Sequence, residues 1–328
     1  MRTATAKRIS YRDKVKSPAN CISNVRYREE ELCPENSKFG SNIRECEEAI
    51  LTPLGRMLSE VPKLKTRNVL LNIGTWNVRT LYELGKLDNL IQEIKSMRLD
   101  VIGICEKRWT GSGMLYKNEY TMMYSGAEAH VNGVAIIMKN STARSIKGFT
   151  AVNERIIAVK IAAQPLDILL IQVYAPTAGH EEEDVELFYK NMKESVEMAK
   201  SNDIIIVMGD FNTKVGNEKI SECMGQHGLG KRNKRGDTLF QFCEENKLII
   251  TNTLFKHPAR RVYTWKSPGD ICRNQIDFIL IKERFRNIIK QAKSYPGADI
   301  NSDHNPVVVI AKIKLKTCKQ KAVSKKLN

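Results

Sequence analysis

Runs of apolar residues alternate with polar segments from about residue 68 onward. The run IIIVM at residues 204–208 predicts a buried strand, since a strand covered on both faces shows no polar alternation. Further apolar runs predict strands at 69–76, 99–105, 134–138, 156–162, 166–173, 248–251, 276–281 and 307–313. Several neighbouring runs are typical of hairpins, and Gln164-Pro165 marks one of the turns.

Helical spacing appears between some of these strands. Apolar residues three, four and seven apart predict a helix over residues 87–97 and a second, clearer one over residues 181–200. A further helix carries Leu239, Phe242 and Cys243. Strand pairs mixed with intervening helices indicate an α/β fold of two packed, mixed sheets with helices outside, and argue against a doubly wound parallel sheet.

The two ends of the chain differ from its middle. Residues 1–66 are basic and polar with little apolar periodicity, which predicts a largely disordered extension. Residues 67–314 form the predicted folded domain. Residues 315–328 form a predicted lysine-rich tail, and the chain has seven lysines and no acid after Ala311.

Charge and cysteine content narrow the class of protein. The 53 lysines and arginines exceed the 37 acids and give a net charge of +16, which favours a polyanionic partner, either nucleic acid or an anionic membrane surface. A basic segment that aids only solubility or import is the alternative. The eight cysteines form no CxxC pair, which indicates a reducing, intracellular compartment.

Targeting signals are sparse. No apolar run approaches the roughly 18 residues of a membrane span, and we expect no membrane partner. The early Lys/Arg cluster is either a nuclear signal, a nucleic-acid arm or a solvated tail. We expect a nuclear location and infer no obligate protein partner.

Polar residues recur beside the predicted strands. Those that follow a strand are Asn77, Glu106, Tyr174, Asp210 and Asn212; Asp303 and His304 precede one, and Asp277 opens another. Each alone is explained by a turn, a cap or a surface charge. Because antiparallel pairing brings the end of one strand beside the start of its neighbour, we expect the eight side chains to converge.

This residue set supports metal-assisted hydrolysis of a phosphate ester. Asn77, Glu106 and Asp303 offer the hard oxygen ligands that suit Mg²⁺. Asp210 can accept a proton from water, while Asn212 donates to developing negative charge. The remaining three would act at the phosphate, with His304 held by Asp277 and Tyr174 adding a hydroxyl donor.

Six motifs in order carry a resemblance to a known family: TWNVRT, the glutamate of ICEKRW, VYAPT, GDFN, IDF and SDH. Across about residues 68–314 the chain resembles the endonuclease/exonuclease/phosphatase superfamily. It is most similar to the endonucleases of BovB/RTE-type non-LTR retrotransposons and to the craniofacial development protein 2-like proteins related to them. The resemblance implies a four-layer α-β-β-α sandwich of the exonuclease III/deoxyribonuclease I type.

The resemblance also implies roles. Metal-dependent phosphodiester cleavage would use Asn77, Glu106 and Asp303 at the metal, which is Mg²⁺ with Mn²⁺ as the alternative ion. The match to Asp210 positions or deprotonates the water, and the match to Asn212 stabilises the pentacovalent phosphorus. The match to His304 contacts the phosphate and is oriented by Asp277, with Tyr174 beside the phosphate.

Superfamily members act on DNA, inositol phosphates or sphingomyelin, and the basic charge favours DNA. Two segments place basic and aromatic groups together and predict nucleic-acid contacts from Lys231, Arg232, Arg235, Arg260, Arg261 and Trp265. A solvated loop and a core tryptophan are the alternatives for these segments. We therefore predict a Mg²⁺-dependent DNA endonuclease. The alternatives are a catalytically unused nucleic-acid- or chromatin-binding protein and a phosphatase acting on a small or lipid phosphate.

Overall fold

The computed structural model describes residues 69–315 of the 328-residue chain. The predicted extension over residues 1–66 and all of the predicted lysine-rich tail except Leu315 lie outside the described residues. Helices in the described part are all too short or too polar to cross a membrane.

The described part of the chain contains sixteen strands and four α-helices. The strands are β1 Val69–Asn77, β2 Val101–Cys105, β3 Ser112–Lys117, β4 Tyr120–Ser125, β5 Val134–Lys139, β6 Ile146–Asn153, β7 Ile156–Ile161, β8 Ala163–Gln164, β9 Ile168–Tyr174, β10 Ile204–Asp210, β11 Leu248–Ile250, β12 Trp265–Lys266, β13 Arg273–Asn274, β14 Asp277–Lys282, β15 Ile289–Ser294 and β16 Val307–Leu315. The α-helices are α1 Lys86–Ser96, α2 Asn140–Ala143, α3 Glu182–Glu197 and α4 Lys234–Glu245. Short 3₁₀ turns cover Thr251–Thr253, Ala259–Arg261, Pro268–Asp270 and Glu283–Ile288.

Two mixed sheets form the centre of the fold. The first has eight strands in the order β15-β16-β1-β2-β5-β4-β3, with β8 paired to β16. The second has six strands in the order β11-β14-β10-β9-β7-β6. Each sheet has one parallel pair at its centre, β1 with β2 and β9 with β10, among antiparallel neighbours. A separate two-stranded ribbon joins β12 to β13.

Three apolar clusters fill the spaces between layers. The inner faces of the two sheets pack on each other through residues such as Ile73, Met208 and Val309. Helix α1 covers the outer face of the first sheet, and helices α3 and α4 cover the outer face of the second. The predicted four-layer α/β sandwich is therefore confirmed. The helices lie outside both sheets because strands that are apolar on both faces need a cover on each face.

Strands β3, β6 and β15 escaped prediction for a shared reason. Each lies at the edge of its sheet, where fewer positions are buried. In β6 no residue is fully buried. A search for continuous apolar runs finds central strands and passes over such edges.

A small polar cluster lies between the sheets. The side chain of Gln172 donates to Thr75 Oγ1 at 3.0 Å and to Cys105 Sγ at 3.0 Å. Gly103 makes room for it, since a Cβ there would lie 1.7 Å from Gln172 Oε1. All three polar side chains are buried, so these mutual bonds replace the hydrogen bonds lost with water.

Candidate active site

The predicted site residues converge at one edge of the two sheets. Parallel and antiparallel register brings the ends of β1, β2, β9 and β10 beside the starts of β14 and β16. In the second sheet Asp210 pairs with both Tyr174 and Asp277. In the first sheet Asn77 pairs with Cys105, which directly precedes Glu106.

A hydrogen-bonded chain links the two sheets at this edge. Glu106 Oε1 accepts from Asn77 Nδ2 at 2.8 Å and from the Tyr174 hydroxyl at 3.0 Å. The Asn77 amide also donates to Asp210 Oδ2 at 2.9 Å. Asn77 and Asp210 are almost fully buried, whereas the side chain of Glu106 is 17% exposed. These hydrogen bonds thus connect the partly exposed carboxylate of Glu106 to the buried carboxylate of Asp210.

His304 closes the other side of Asp210. Its Nδ1 lies 3.0 Å from Asp277 Oδ2, and its Nε2 lies 3.8 Å from Asp210 Oδ2. The backbone carbonyl of His304 accepts from Trp76 Nε1 at 2.9 Å, which fixes the loop that carries the ring. The imidazole therefore lies between two buried carboxylates.

Burial and charge shift the proton affinities of these groups. Burial, together with the neighbouring Asp277 carboxylate, raises the pKa of Asp210 to about 7, although the attraction of His304 and the hydrogen bonds from Asn77 and Asn212 lower it. Burial lowers the pKa of His304, but attraction to the Asp277 and Asp210 carboxylates outweighs it and raises the pKa to about 9. Burial, followed by the Glu106 and Asp210 charges, raises the pKa of Tyr174, so its hydroxyl remains a donor.

Asn212 lies two residues beyond the end of β10 in a left-handed conformation with φ of 49°. Asparagine tolerates this region better than most residues. Its backbone N–H donates to Asp210 Oδ1 at 2.9 Å, and its side-chain amide donates to the Ala175 carbonyl at 2.8 Å. One amide hydrogen remains for a further acceptor.

Asp303, which directly precedes His304, is the last of the predicted site residues. Its Oδ2 accepts from Trp265 Nε1 at 3.0 Å. Its Oδ1 has no hydrogen bond to any described residue, although Arg79 Nε lies 3.6 Å away. A carboxylate oxygen without a donor is suited to a cation.

Two groups of residues fit a divalent metal. Glu106 and Asp303 supply carboxylate oxygens, and exposure of 17% for the Glu106 side chain and 30% for that of Asp303 leaves space for the waters that Mg²⁺ retains. Asn77, the third predicted ligand, turns its amide nitrogen toward Glu106 and Asp210, while its Oδ1 accepts from the Arg79 N–H at 3.0 Å. In the alternative group, ligand atoms of Asp210, Asp277 and His304 lie within 4.8 Å of one another. All three are buried and His304 is hydrogen-bonded to Asp277, which suits proton handling better than a hydrated ion.

The six predicted nucleic-acid contacts differ in their surroundings. Lys231 and Arg260 are exposed. The guanidinium of Arg235 donates to the carbonyls of Pro176, Thr177 and His180. Arg232 pairs with Asp237 at 2.6 Å, Arg261 donates to Ser294, and Trp265 donates to Asp303. Four of the six therefore make contacts within the domain, and their role toward nucleic acid stays a prediction.

The sequence analysis missed Arg79 and Arg108. Arg108 contacts Glu106 Oε2 at 2.8 Å, and Arg79 approaches Asp303. Both have positive φ, which places them over the carboxylates instead of along a strand. Their proximity to TWN and to the glutamate of CEKRW was the available signal, whereas their backbone conformation left no trace in the sequence.

Comparison with known proteins identifies the fold and its family. A model of the Endonuclease/Exonuclease/phosphatase family matches residues 74–304, more than half of the chain. The chain belongs to this family. The sequence resemblance is thereby confirmed. Members of the family are typically hydrolytic nucleases or phosphatases and generally require a divalent metal.

A longer protein of known sequence is similar to this chain. Craniofacial development protein 2 from Bos taurus is 41% identical over 245 residues, which cover 74% of this chain and 41% of that protein. The chain thus spans less than half the length of this relative.

Solved structures share the fold at low identity. The endonuclease domain of TRAS1, a telomere-specific non-LTR retrotransposon, matches with a TM-score of 0.54 and 14% identity over 74% of this chain and 99% of that one. The AP endonuclease LMAP from Leishmania major matches with a TM-score of 0.57 and 15% identity over 77% of this chain and 92% of that one.

Proposed function

We propose that the chain is a Mg²⁺-dependent DNA endonuclease that hydrolyses phosphodiester bonds. The proposal rests on the continuous row of hydrogen-bonded side chains from Glu106 through Asn77 to Asp210. On the other side of Asp210 lies His304, which is hydrogen-bonded to Asp277. The site combines oxygen ligands for a cation, a buried base and a cationic group at one edge. Phosphodiester hydrolysis needs these three functions together.

Electrostatics favours a bound cation. The carboxylates of Glu106 and Asp210 share the Asn77 amide, Asp277 is hydrogen-bonded to His304, and Asp303 directly precedes His304, so four acids surround the edge where an anionic phosphate would bind. Glu106 and Asp303 would hold the ion, with Asn77 orienting the Glu106 carboxylate and Mn²⁺ as an alternative to Mg²⁺. When bound, the ion supplies charge neutralisation and polarises the phosphate.

The protein's own groups would do the rest. Asp210 takes the proton of the attacking water, as its raised pKa suits a base near neutral pH. Asn212 donates its remaining amide hydrogen to a phosphate oxygen. His304, cationic at neutral pH and held by Asp277, stabilises the negative charge that develops on the phosphate. Tyr174 donates its hydroxyl to Glu106 and orients that carboxylate.

DNA is the proposed substrate because of charge. The net charge of +16 favours a polyphosphate over a small ester, since phosphates spaced along a strand gain affinity by counterion release. Similarity to a retrotransposon endonuclease and to an AP endonuclease supports the same choice. We propose a retrotransposon origin on the first of these likenesses, and a nuclear location because DNA lies there.

Plasmid nicking tests the proposal. Wild type should convert supercoiled to nicked plasmid with Mg²⁺ and stop in EDTA, while Asp210→Asn and His304→Gln should stay folded and lose nicking. Nicking by both variants at the wild-type rate would overturn the assignment of the site. A panel of abasic, intact and single-stranded DNA, with an inositol phosphate added, compares nuclease with phosphatase activity.

The alternative is a protein that binds nucleic acid or chromatin without cutting it. The net charge favours this as well as cleavage. Salt-sensitive DNA binding without nicking under Mg²⁺ or Mn²⁺ would select it.

A further inference from the structure

Three loops meet beside Glu106 at the edge of the eight-stranded sheet. They cover residues 78–85 after β1, 106–111 after β2 and 126–133 before β5. Strand register brings them together, because Cys105 pairs with both Asn77 and Val134. The backbone of Lys107 ties all three, since its carbonyl accepts from Leu81 N at 3.0 Å and its N–H donates to Gly133 O at 3.1 Å.

Buried side chains stiffen these loops from below. The fully buried Lys107 donates its Nζ to the Trp109 carbonyl at 2.6 Å and lies 4.8 Å from the Tyr124 ring. Trp109 in turn donates Nε1 to the Leu81 carbonyl at 2.9 Å. The outer surface of the loops is therefore fixed by contacts that do not involve their exposed side chains.

Two exposed rings lie on this surface. The rings of Tyr82 and His130 have centroids 4.5 Å apart at an interplanar angle of 53°. Tyr82 is 58% exposed, and Leu84 in the same loop is entirely exposed. His130 Nδ1 lies 3.0 Å from the Arg108 carbonyl, which fixes its ring beside the site. Exposed rings on a stiff backbone contribute little to the core and are typical of stacking surfaces for nucleic-acid strands.

Cationic groups link the ring pair to the carboxylates. Arg79 and Arg108 belong to the same loops, are exposed, and reach Asp303 and Glu106 respectively. The one acid of the first loop, Glu83, pairs with Lys86 at 3.6 Å. A strand that leaves the carboxylates across these guanidiniums would next meet the two rings.

We propose that Tyr82 and His130 form a stacking platform for one nucleic-acid strand, with Arg79 and Arg108 contacting its phosphates. The platform would accept a base or sugar of the strand where it passes the three loops beside Glu106. It rests on the proposed function, because the strand is the one whose phosphodiester would be cut at Asp210.

Binding measured against salt separates stacking from charge. Fluorescence anisotropy of the full chain on a labelled DNA strand, in EDTA, gives the dissociation constant at several salt concentrations. Loss of stacking lowers affinity about tenfold at every salt concentration, whereas loss of a phosphate contact reduces the salt slope by about one.

The Tyr82→Ala/His130→Ala double variant should therefore bind about tenfold more weakly with an unchanged salt slope. Tyr82→Phe should bind as wild type, since a phenyl ring still stacks. Arg108→Ala should reduce the slope. Tyr116→Ala is the matched control, because Tyr116 is 68% exposed on β3 of the same sheet, and it should bind as wild type.

The outcomes distinguish the two proposals. Wild-type affinity in the double variant, an equal loss in Tyr116→Ala, or a loss that appears only as a smaller slope would overturn the platform. If wild type still nicks plasmid in any of these cases, the proposed function stands. A wild type that neither nicks nor binds DNA overturns both. Thermal unfolding at an unchanged temperature verifies that the double variant is folded.

Discussion

Nδ1 of His304 lies 3.0 Å from Oδ2 of Asp277, and this hydrogen bond joins the two sheets. His304 precedes β16 of the first sheet, while Asp277 begins β14 of the second. Both side chains are buried, so the carboxylate has little competition from water for the ring. The bond fixes both the orientation and the charge of the imidazole.

Asp277→Asn should reduce catalysis without removing the ring. The amide keeps the shape of the carboxylate but loses its charge, so kcat for nicking should fall by about 10²–10⁴-fold with little change in KM. Single-turnover and steady-state nicking assays measure both constants. Asp88→Asn, at an exposed pair with Lys117, is the control and should be unaffected. A normal kcat in Asp277→Asn would remove this carboxylate from the mechanism.

The same pair makes stability depend on pH. The pKa of His304 is raised from 6.5 to about 9, so its charge stabilises the fold fully below 6.5 and this contribution is lost as pH rises through 9. The excess of wild-type unfolding free energy over that of His304→Gln should therefore shrink between these values. Urea denaturation in EDTA at pH 6 and pH 9.5 measures it, and an excess that grows with pH would contradict the assigned charge.

Much of the site could be predicted from the sequence, for a topological reason. Asn77, Glu106, Tyr174 and Asp210 each end a strong apolar run, and central strands are the ones such runs identify. Parallel pairing of β1 with β2 and of β9 with β10 then brings their carboxyl ends to one edge. The sequence analysis expected convergence from antiparallel pairing, which joins β10 to β14, whereas the two parallel pairs that also bring the side chains together were not predicted.

The surroundings of the basic residues could not be predicted in this way. Arg235 lies in the basic stretch KRNKR, which is typical of an exposed loop. The structure places it in the first turn of α4, where its guanidinium donates to carbonyls of residues 176–180. That contact depends on how a distant loop turns its backbone, and charge alone carries no information on this.

Substitution of a proposed metal ligand should raise the Mg²⁺ concentration that nicking needs and leave the protein folded. Glu106→Gln and Asp303→Asn each remove one negative charge from the proposed metal site. The Mg²⁺ concentration for half-maximal nicking should therefore rise by roughly tenfold or more. Titration of Mn²⁺ binding by calorimetry gives a readout independent of turnover. Glu119→Gln, an exposed partner of Lys95, should leave both values unchanged. An unchanged Mn²⁺ affinity in both Glu106→Gln and Asp303→Asn would contradict this metal site and favour the alternative one formed by Asp210, Asp277 and His304.

Gly209 is the position where backbone geometry most directly controls the site. Its φ is 154°, and a Cβ there would lie 1.9 Å from the carbonyl oxygen of Val173 in the neighbouring strand. Gly209→Ala must therefore push β10 away from β9 and displace Asp210, at a cost of about 3 kcal/mol or more in unfolding free energy. Gly148→Ala in β6 is the matched control, because nothing lies within 4 Å of a Cβ there. Denaturant unfolding and nicking should both be impaired in Gly209→Ala and normal in Gly148→Ala. A Gly209→Ala protein as stable as wild type would show that β9 and β10 can separate without loss, and Asp210 would then owe its position to Asn77 and His304 instead of to the strand.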